Sequence, residues 1–421
     1  MSLILFYLFL FFLPTQLAHH FFFDFTTISG IRSDYLTPTI YLTDIISLFL
    51  IGSGLFAKLK KKPTKKSEIW KVILLLFFCY LLFNSFFVAV NIWAALYKFI
   101  KILELILLGI AISRLKPKLK TTVSILSLSM VYLSVMAVWQ FMIQKSIGGI
   151  FWWLGERAFY ANTPGIAAFS YKGSLLLRPY ATLPHPNVLG GYLSITFLFI
   201  FYFLVSNWRG LNKWLKFYFG ISIVLGLAAL ILTFSRVAWV VALSGLVMIY
   251  LDKKINLSKK INGNKNKFLA SIYLAIIVSV VLPFFSPNFL IDKFQYWQER
   301  VSLIKTTVNM VLVNLLFGTG LNNSITQVQN YINTFPGLYI FQPVHNIYLL
   351  ILSETGIVGF LLFLLLTIMY ITRIFKSPPI FLYIFIQLFI LGLFDHYLFT
   401  LQQGQLLLVV FTALSFSLKM A

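Results

Sequence analysis

The sequence predicts an all-α polytopic membrane protein of about 12 transmembrane helices, one membrane domain over residues 1–421 with two long outer loops. Three observations predict it. Hydrophobic residues make up 60% of the chain and charged residues only 11%, where a soluble domain carries about 25% charged residues. The apolar residues fall in runs, and at roughly 20 residues per crossing they suffice for on the order of twelve helices. Basic residues cluster in alternate gaps between those runs. This composition excludes a soluble enzyme carrying a membrane anchor. The single cysteine, Cys79, excludes an intramolecular disulfide, a cysteine zinc site and an iron–sulfur cluster, so any metal would have to use His and carboxylates.

The spans are expected at 2–16, 38–56, 70–91, 93–113, 121–144, 187–206, 215–233, 236–251, 268–285, 345–372, 379–398 and 401–419. The first, MSLILFYLFLFFLPT, has neither the basic n-region nor the small-residue cleavage site of a signal peptide and reads as an uncleaved crossing. The even-numbered gaps surround Lys61, Lys118, Lys213, Lys260 and Arg373, and Lys419 follows the last span. Together they hold most of the 34 lysines and arginines, which orients them, and both termini, to the cytoplasm. The net charge of +23 would otherwise suggest nucleic acid as a partner. Its confinement to short interhelical gaps points to bilayer orientation instead.

The outer loops run from about 145 to 186 and from about 286 to 344. Loops of such length are functional or disordered, and their aromatic and apolar content disfavours disorder. In the second, Val301, Ile304, Val308, Val311, Leu312 and Leu315 recur at helical spacing, predicting an amphipathic helix on the membrane or over a cavity. The chemistry is therefore expected outside.

Polar residues from five sequence-distant segments converge on that side: Arg178 with the His185-Pro-Asn187 turn before span six, Thr233-Phe-Ser235-Arg236 between spans seven and eight, Arg300, His345-Asn346 opening span ten, and Asp395-His396 closing span eleven. Such convergence is what a site between helices requires. Arginines outside run against the orientation rule, and a diphosphate ligand would explain them, because the guanidinium fork binds phosphate oxygens bidentately. If Ser235 caps span eight, Arg236 stands in its first turn, where free amides also favour an anion. The competing reading has Arg236 snorkelling to headgroups or pairing with Asp395.

Taken in order, Arg178 with the HPN turn, Thr-x-Ser-Arg at 233–236, Arg300 before Gly318-Thr-Gly320, His345-Asn346-x-Tyr348 and Glu354-x-Gly356 resemble the O-antigen ligase and O-antigen polymerase superfamily. The resemblance implies transfer of an oligosaccharide from undecaprenyl diphosphate to a glycan or lipid acceptor on the outer face of a bacterial cytoplasmic membrane. It also implies an all-helical fold related to the lipid-dependent glycosyltransferases (GT-C-like). Arg178 and Arg236 match the arginine pair proposed to hold the diphosphate, and His345 matches the essential histidine. Arg300, His185, Asn187 and Asn346 complete the expected substrate-binding set. Two arginines would neutralise the leaving group and a neutral histidine would deprotonate the acceptor, so no metal and no cofactor is expected. Val237, where the family often has glycine, and the His-Pro-Asn turn leave ligase and polymerase open.

Each residue also has a structural reading. His345 could cap span ten through its ring, and His185 could simply shape a turn between Pro184 and Pro186. Asp395 and His396 could be an interfacial hydrogen-bonded pair. Glu354 lies about 180° around an ideal helix from His345 and reads as packing with Gly356 and Gly359. Trp152, Trp153 and Tyr180 could stack on sugars or anchor at the interface, and His19 and His20 have no assignable role. The alternative function is a lipid-linked oligosaccharide transporter, for which Lys98, Lys101 and Glu104 are the only midplane cluster, with Lys101 and Glu104 able to pair.

Overall fold

The computed structural model describes residues 1–56, 69–285, 298–331 and 341–418. The gap around Lys61, stretches 286–297 and 332–340 of the second long loop, and Lys419 lie outside the described residues.

Every expected span meets a helix. In chain order these are α1 Ser2–Phe12, α2 Leu42–Phe56, α3 Ile69–Phe87, α4 Ile92–Arg114, α5 Leu119–Ile143, α6 Pro186–Asn207, α7 Lys213–Leu232 and α8 Arg236–Ile255. After the short α9 Leu257–Gly263 come α10 Lys265–Val281, α11 Gln298–Val313, α12 Ser324–Tyr331, α13 Ile347–Ile374, α14 Pro379–Phe394, the single turn α15 Tyr397–Thr400 and α16 Gln402–Ser417. Six of the described helices are long and apolar enough to cross a membrane. The 23-residue α4 is not among them because it carries Lys98, Lys101, Glu104 and Arg114. Two of these charges turn inward. Lys101 pairs with Asp44 of α2 and with Glu104 at 3.3 Å, and Lys98 donates to the Phe399 carbonyl while lying 4.4 Å from the centre of its ring.

Helix α6 is the central pillar, 83% buried along its most apolar window. Its glycines allow that closeness: a Cβ at Gly190 would come within 2.9 Å of Ala238 on α8, and one at Gly191 within 2.0 Å of the Tyr397 hydroxyl.

An all-α chain was expected, yet three small antiparallel sheets occur among the described residues. β1 Ala18–His20 pairs with β4 Thr39–Tyr41, β2 Thr27–Ile28 with β3 Ile31–Arg32, and β5 Ala168–Tyr171 with β6 Ser174–Leu177. The hairpins give the backbone of the interhelical segments its hydrogen bonds where helix does not. The β5–β6 hairpin is anchored by Phe169, whose ring stacks on Phe234 with centroids 3.6 Å apart.

Helix α11 forms where the apolar spacing predicts, but its buried face differs. Ser302, Leu303, Thr306, Thr307 and Met310 are buried beside Val308 and Val311, while Leu312 and Leu315 are exposed. Threonines can be buried here because their hydroxyls return to the helix, as Thr307 does to the Leu303 carbonyl at 2.6 Å,.

Two motifs far apart in sequence form one device. Helix α13 breaks at Gly356, where φ is +61°, and the chain at 315–320 supplies partners to the opened turn. The Thr319 amide donates to the Ser353 carbonyl at 2.8 Å, the Gly320 amide to the Glu354 carbonyl at 3.0 Å, and the Ile357 amide to the Leu315 carbonyl at 2.9 Å. A Cβ on Gly356 would lie 2.3 Å from the Leu316 oxygen, and one on Gly318 2.5 Å from the Glu354 backbone. Glu354 does more than pack. Its carboxylate accepts from the Asn322 amide and the Ser324 hydroxyl, both at 2.9 Å, pinning the start of α12. Broken helices are stable at membrane depth only when freed backbone groups find such partners.

Candidate functional site

The residues expected to meet at one end of the bundle largely do. Pro186 opens α6, and His185 precedes it as N-cap, its Nδ1 accepting from the Asn187 amide at 3.1 Å. A ring nitrogen that accepts is unprotonated, and burial, reinforced by Arg178, brings the His185 imidazole down to about 4. It is neutral at ordinary pH.

Arg178 reaches this point from the end of β6. Its Nε donates to the Thr233 carbonyl and its Nη2 to Asn187 Oδ1, both at 2.7 Å. Thr233 sits three residues before Arg236, so Arg178 is tied to the turn that expectation paired it with. Burial lowers the Arg178 guanidinium to about 10, with Tyr180 and Asp395 opposing and Arg300 assisting, and it remains a cation. Asn187 completes the chain with Nδ2 donating to Asp395 Oδ2 at 3.1 Å.

Asp395 follows the last turn of α14, and its Oδ1 accepts the His396 amide at 2.8 Å. Burial raises its carboxyl, while His396, His345, His185 and Arg300 bring the balance below the ordinary carboxylate range. The His396 ring makes its hydrogen bond elsewhere: Nδ1 meets the Thr400 hydroxyl at 2.7 Å, and burial takes the imidazole down to about 3.

His345 is the residue with capacity left over. Capping α13 is done by Asn346, whose Oδ1 accepts from the Tyr348 amide at 2.9 Å and the Leu349 amide at 3.1 Å. The imidazole of His345 is thereby released from the capping role considered above. Its Nδ1 is sealed from solvent and has no partner among the described residues, and its ring lies 5.1 Å from that of His396. Burial lowers the His345 imidazole, with Asp395 opposing and Arg300 reinforcing the shift. Arg300, in the first turn of α11, is half-buried. Arg236 differs from expectation in detail. It begins α8 behind Ser235, which makes no side-chain capping bond. Arg236 is exposed and reaches neither Asp395 nor any other hydrogen-bond or ion-pair partner among the described residues.

Donor atoms of His345, Asp395 and His396 lie within 4.8 Å of one another, a set whose chemistry suits a divalent ion. Two features weigh against an ion. The Arg300 guanidinium acts on all three groups and that of Arg178 on Asp395, and both Asp395 oxygens already accept protein hydrogen bonds.

One contributor was missed by sequence reasoning. Tyr35, between β3 and β4, sets its ring 5.6 Å from His396, edge to face. Nothing local to Asp34-Tyr35 signals this, because the contact spans more than 300 residues.

Fold and site together define a polytopic helical membrane protein with half-buried guanidiniums, a buried carboxylate and neutral imidazoles gathered at one end of the bundle. Residues 221–364 match the family model described as O-Antigen ligase. The chain thus carries an O-antigen ligase-like domain, in agreement with the motif resemblance. The matched stretch contains Arg236, Arg300, His345 and Glu354, whereas Arg178, Asn187 and Asp395 lie outside it and join the site through the fold. No curated protein matches the chain.

Proposed function

We propose that this chain is a membrane glycosyltransferase that transfers or polymerises an oligosaccharide from an undecaprenyl-diphosphate donor at the outer face of the bacterial cytoplasmic membrane. In this reading all twelve helices expected from the sequence cross the bilayer in a GT-C-like arrangement, with both termini cytoplasmic. The acceptor is a second glycan or a lipid-borne one. The observation that supports it best is the nearness of a pinned guanidinium, Arg178, and a half-buried imidazole, His345, whose Nδ1 is sealed from solvent with no partner among the described residues.

The acceptor hydroxyl attacks the anomeric carbon of the donor, and the bond from that carbon to the diphosphate oxygen breaks. The diphosphate leaves with the electron pair, and the hydroxyl proton passes to the neutral His345 imidazole. Arg178 and Arg300, with Arg236 at the amide-rich start of α8, stabilise the leaving charge. Asp395 stabilises the imidazolium that forms. The residues proposed for these steps need no metal and no cofactor.

The test is reconstitution of the purified protein in liposomes with an undecaprenyl-diphosphate oligosaccharide and an acceptor glycan, with products read by mass spectrometry. Elongated acceptor from the wild type, lost in His345→Ala, supports transfer. Donor that appears on the opposite leaflet with no elongated product would replace it with the transporter reading.

A further inference from the structure

The turn Thr233-Phe-Ser235-Arg236 joins α7 to α8 and holds one residue in an unfavourable conformation. Phe234 follows Thr233, the C-cap of α7, with φ at +50°. Helices commonly end on a left-handed residue at this place, and it is usually glycine, because a Cβ there crowds the backbone. Among the described residues Phe234 is the one aromatic side chain with positive φ. A bulky residue keeps such a conformation only where its surroundings enforce it.

The restraint comes from the β5–β6 hairpin. Phe169 of β5 lies against Phe234 with the ring planes 24° apart, and Phe141 of α5 stands 6.3 Å from both rings. Inside the turn, the Ser235 amide reaches the Thr233 hydroxyl at 3.2 Å, the long end of the hydrogen-bond range. The same hairpin delivers Arg178, whose amide donates to the Ala167 carbonyl at 3.0 Å and whose Nε holds the Thr233 carbonyl. Thr233 and Arg236 thus flank the strained residue. Its dihedral angles decide where the head of α8 stands relative to the Arg178 guanidinium. A Phe234 relaxed to negative φ would send the chain from Thr233 in another direction and carry Arg236 with it.

We propose that Phe169 is a positioning residue for the donor diphosphate: its stack on Phe234 holds the 233–236 turn in a glycine-like conformation and so fixes the spacing of Arg178 and Arg236. The proposal rests on the reading above of these arginines as the diphosphate site, whereas the stack and the turn it restrains rest on the geometry alone.

The test is a double-mutant cycle in the purified full-length protein, with Phe169→Ala, Phe234→Gly and the two combined. Glycine adopts a positive φ without support, so Phe234→Gly uncouples the turn from the stack. Titration calorimetry with farnesyl diphosphate reads the site without any need for transfer, and the liposome assay reads donor and acceptor KM separately. With Phe234 present, Phe169→Ala should weaken farnesyl diphosphate binding and raise the donor KM, each about tenfold, the size expected when one strained residue is released. The acceptor KM should hold. In the Phe234→Gly background the same substitution should change either constant by less than about twofold. Phe169→Tyr keeps the ring face and should restore both constants, and Phe169→Leu takes the place of Phe169→Ala if that variant does not insert. An effect that is absent, equally large in the Phe234→Gly background, or shared by the acceptor KM overturns the positioning role, as does a lower Tm with unchanged constants. If transfer proceeds with a normal donor KM in Phe169→Ala, the transferase stands and the stack only supports the fold. Farnesyl diphosphate binding that follows the cycle in a protein that transfers nothing keeps the positioning role and removes the transferase. A wild type that neither binds farnesyl diphosphate nor transfers loses the diphosphate reading and the positioning role together.

Discussion

Arg178 and Asp395 are joined without touching: the Asn187 carboxamide accepts from the guanidinium at 2.7 Å and donates to the carboxylate at 3.1 Å. A direct ion pair would cancel both charges. Through the amide the cation stays available to an incoming anion and the carboxylate to the imidazoles.

The bridge gives the first prediction. Asn187→Leu leaves a buried acceptor and a guanidinium donor unsatisfied, at a cost of about 1–3 kcal/mol for each group. A lower Tm for the purified protein, with a raised donor KM, is expected. A Tm and KM equal to wild type would show that the bridge is incidental.

Arg178→Lys keeps the charge and loses the fork, since an ammonium cannot hold Thr233 and Asn187 in the guanidinium geometry. Transfer should fall tenfold or more, about 1.4 kcal/mol of barrier. Arg236→Lys is expected to behave likewise if the diphosphate reaches the head of α8. Because Arg236 is exposed and has no partner to lose among the described residues, an unchanged rate in that variant removes it from the clamp.

For His345 the expected signature is kinetic. His345→Ala should lose about two to four orders of magnitude in rate with donor binding kept. The active form is the neutral imidazole, and burial lowers its pKa below 6.5, so activity rises with pH along a limb below 6.5 and is flat above it. Asp395 raises that pKa, and Asp395→Asn should therefore move the limb to still lower pH. A limb that stays in place in His345→Ala would assign it to another group.

The cluster of His345, Asp395 and His396 also makes metal dependence a decisive measurement. Transfer should survive EDTA dialysis. Loss of activity with EDTA and its recovery on adding zinc or manganese would overturn the general-base role, because a metal-bound imidazole cannot take the acceptor proton.

Orientation can be read with cysteines in a Cys79→Ser background. Ser174, on the β5–β6 hairpin, and Gly263, at the end of α9, are both exposed. Ser174→Cys should react with an impermeant thiol reagent in intact cells and Gly263→Cys only after permeabilisation. The reverse pattern would place the site on the cytoplasmic face.

Helix positions were legible in the sequence almost throughout, because the transfer of apolar side chains into a bilayer depends on local composition and adds along the chain. The motifs that carry the family resemblance were legible for a related reason: glycines at 318, 320 and 356 occupy places where a Cβ meets backbone. Other features needed the third dimension. His345 and Asn346 are adjacent polar residues before one helix, and only the register of that helix decides that Asn346 caps it and His345 does not. The buried face of α11 includes threonines, which hydropathy spacing treats as polar and the helix satisfies internally. The strands at 18–41 and 168–177 are too short and too interrupted by turns to stand out in a chain dominated by apolar runs. The meeting of Tyr35 with His396, and of Arg178 with Asp395 through Asn187, was decided by tertiary structure alone. Those contacts join segments some 200 to 360 residues apart, and a side chain's partner at that separation is set by how the helices pack, a property no local stretch of sequence contains.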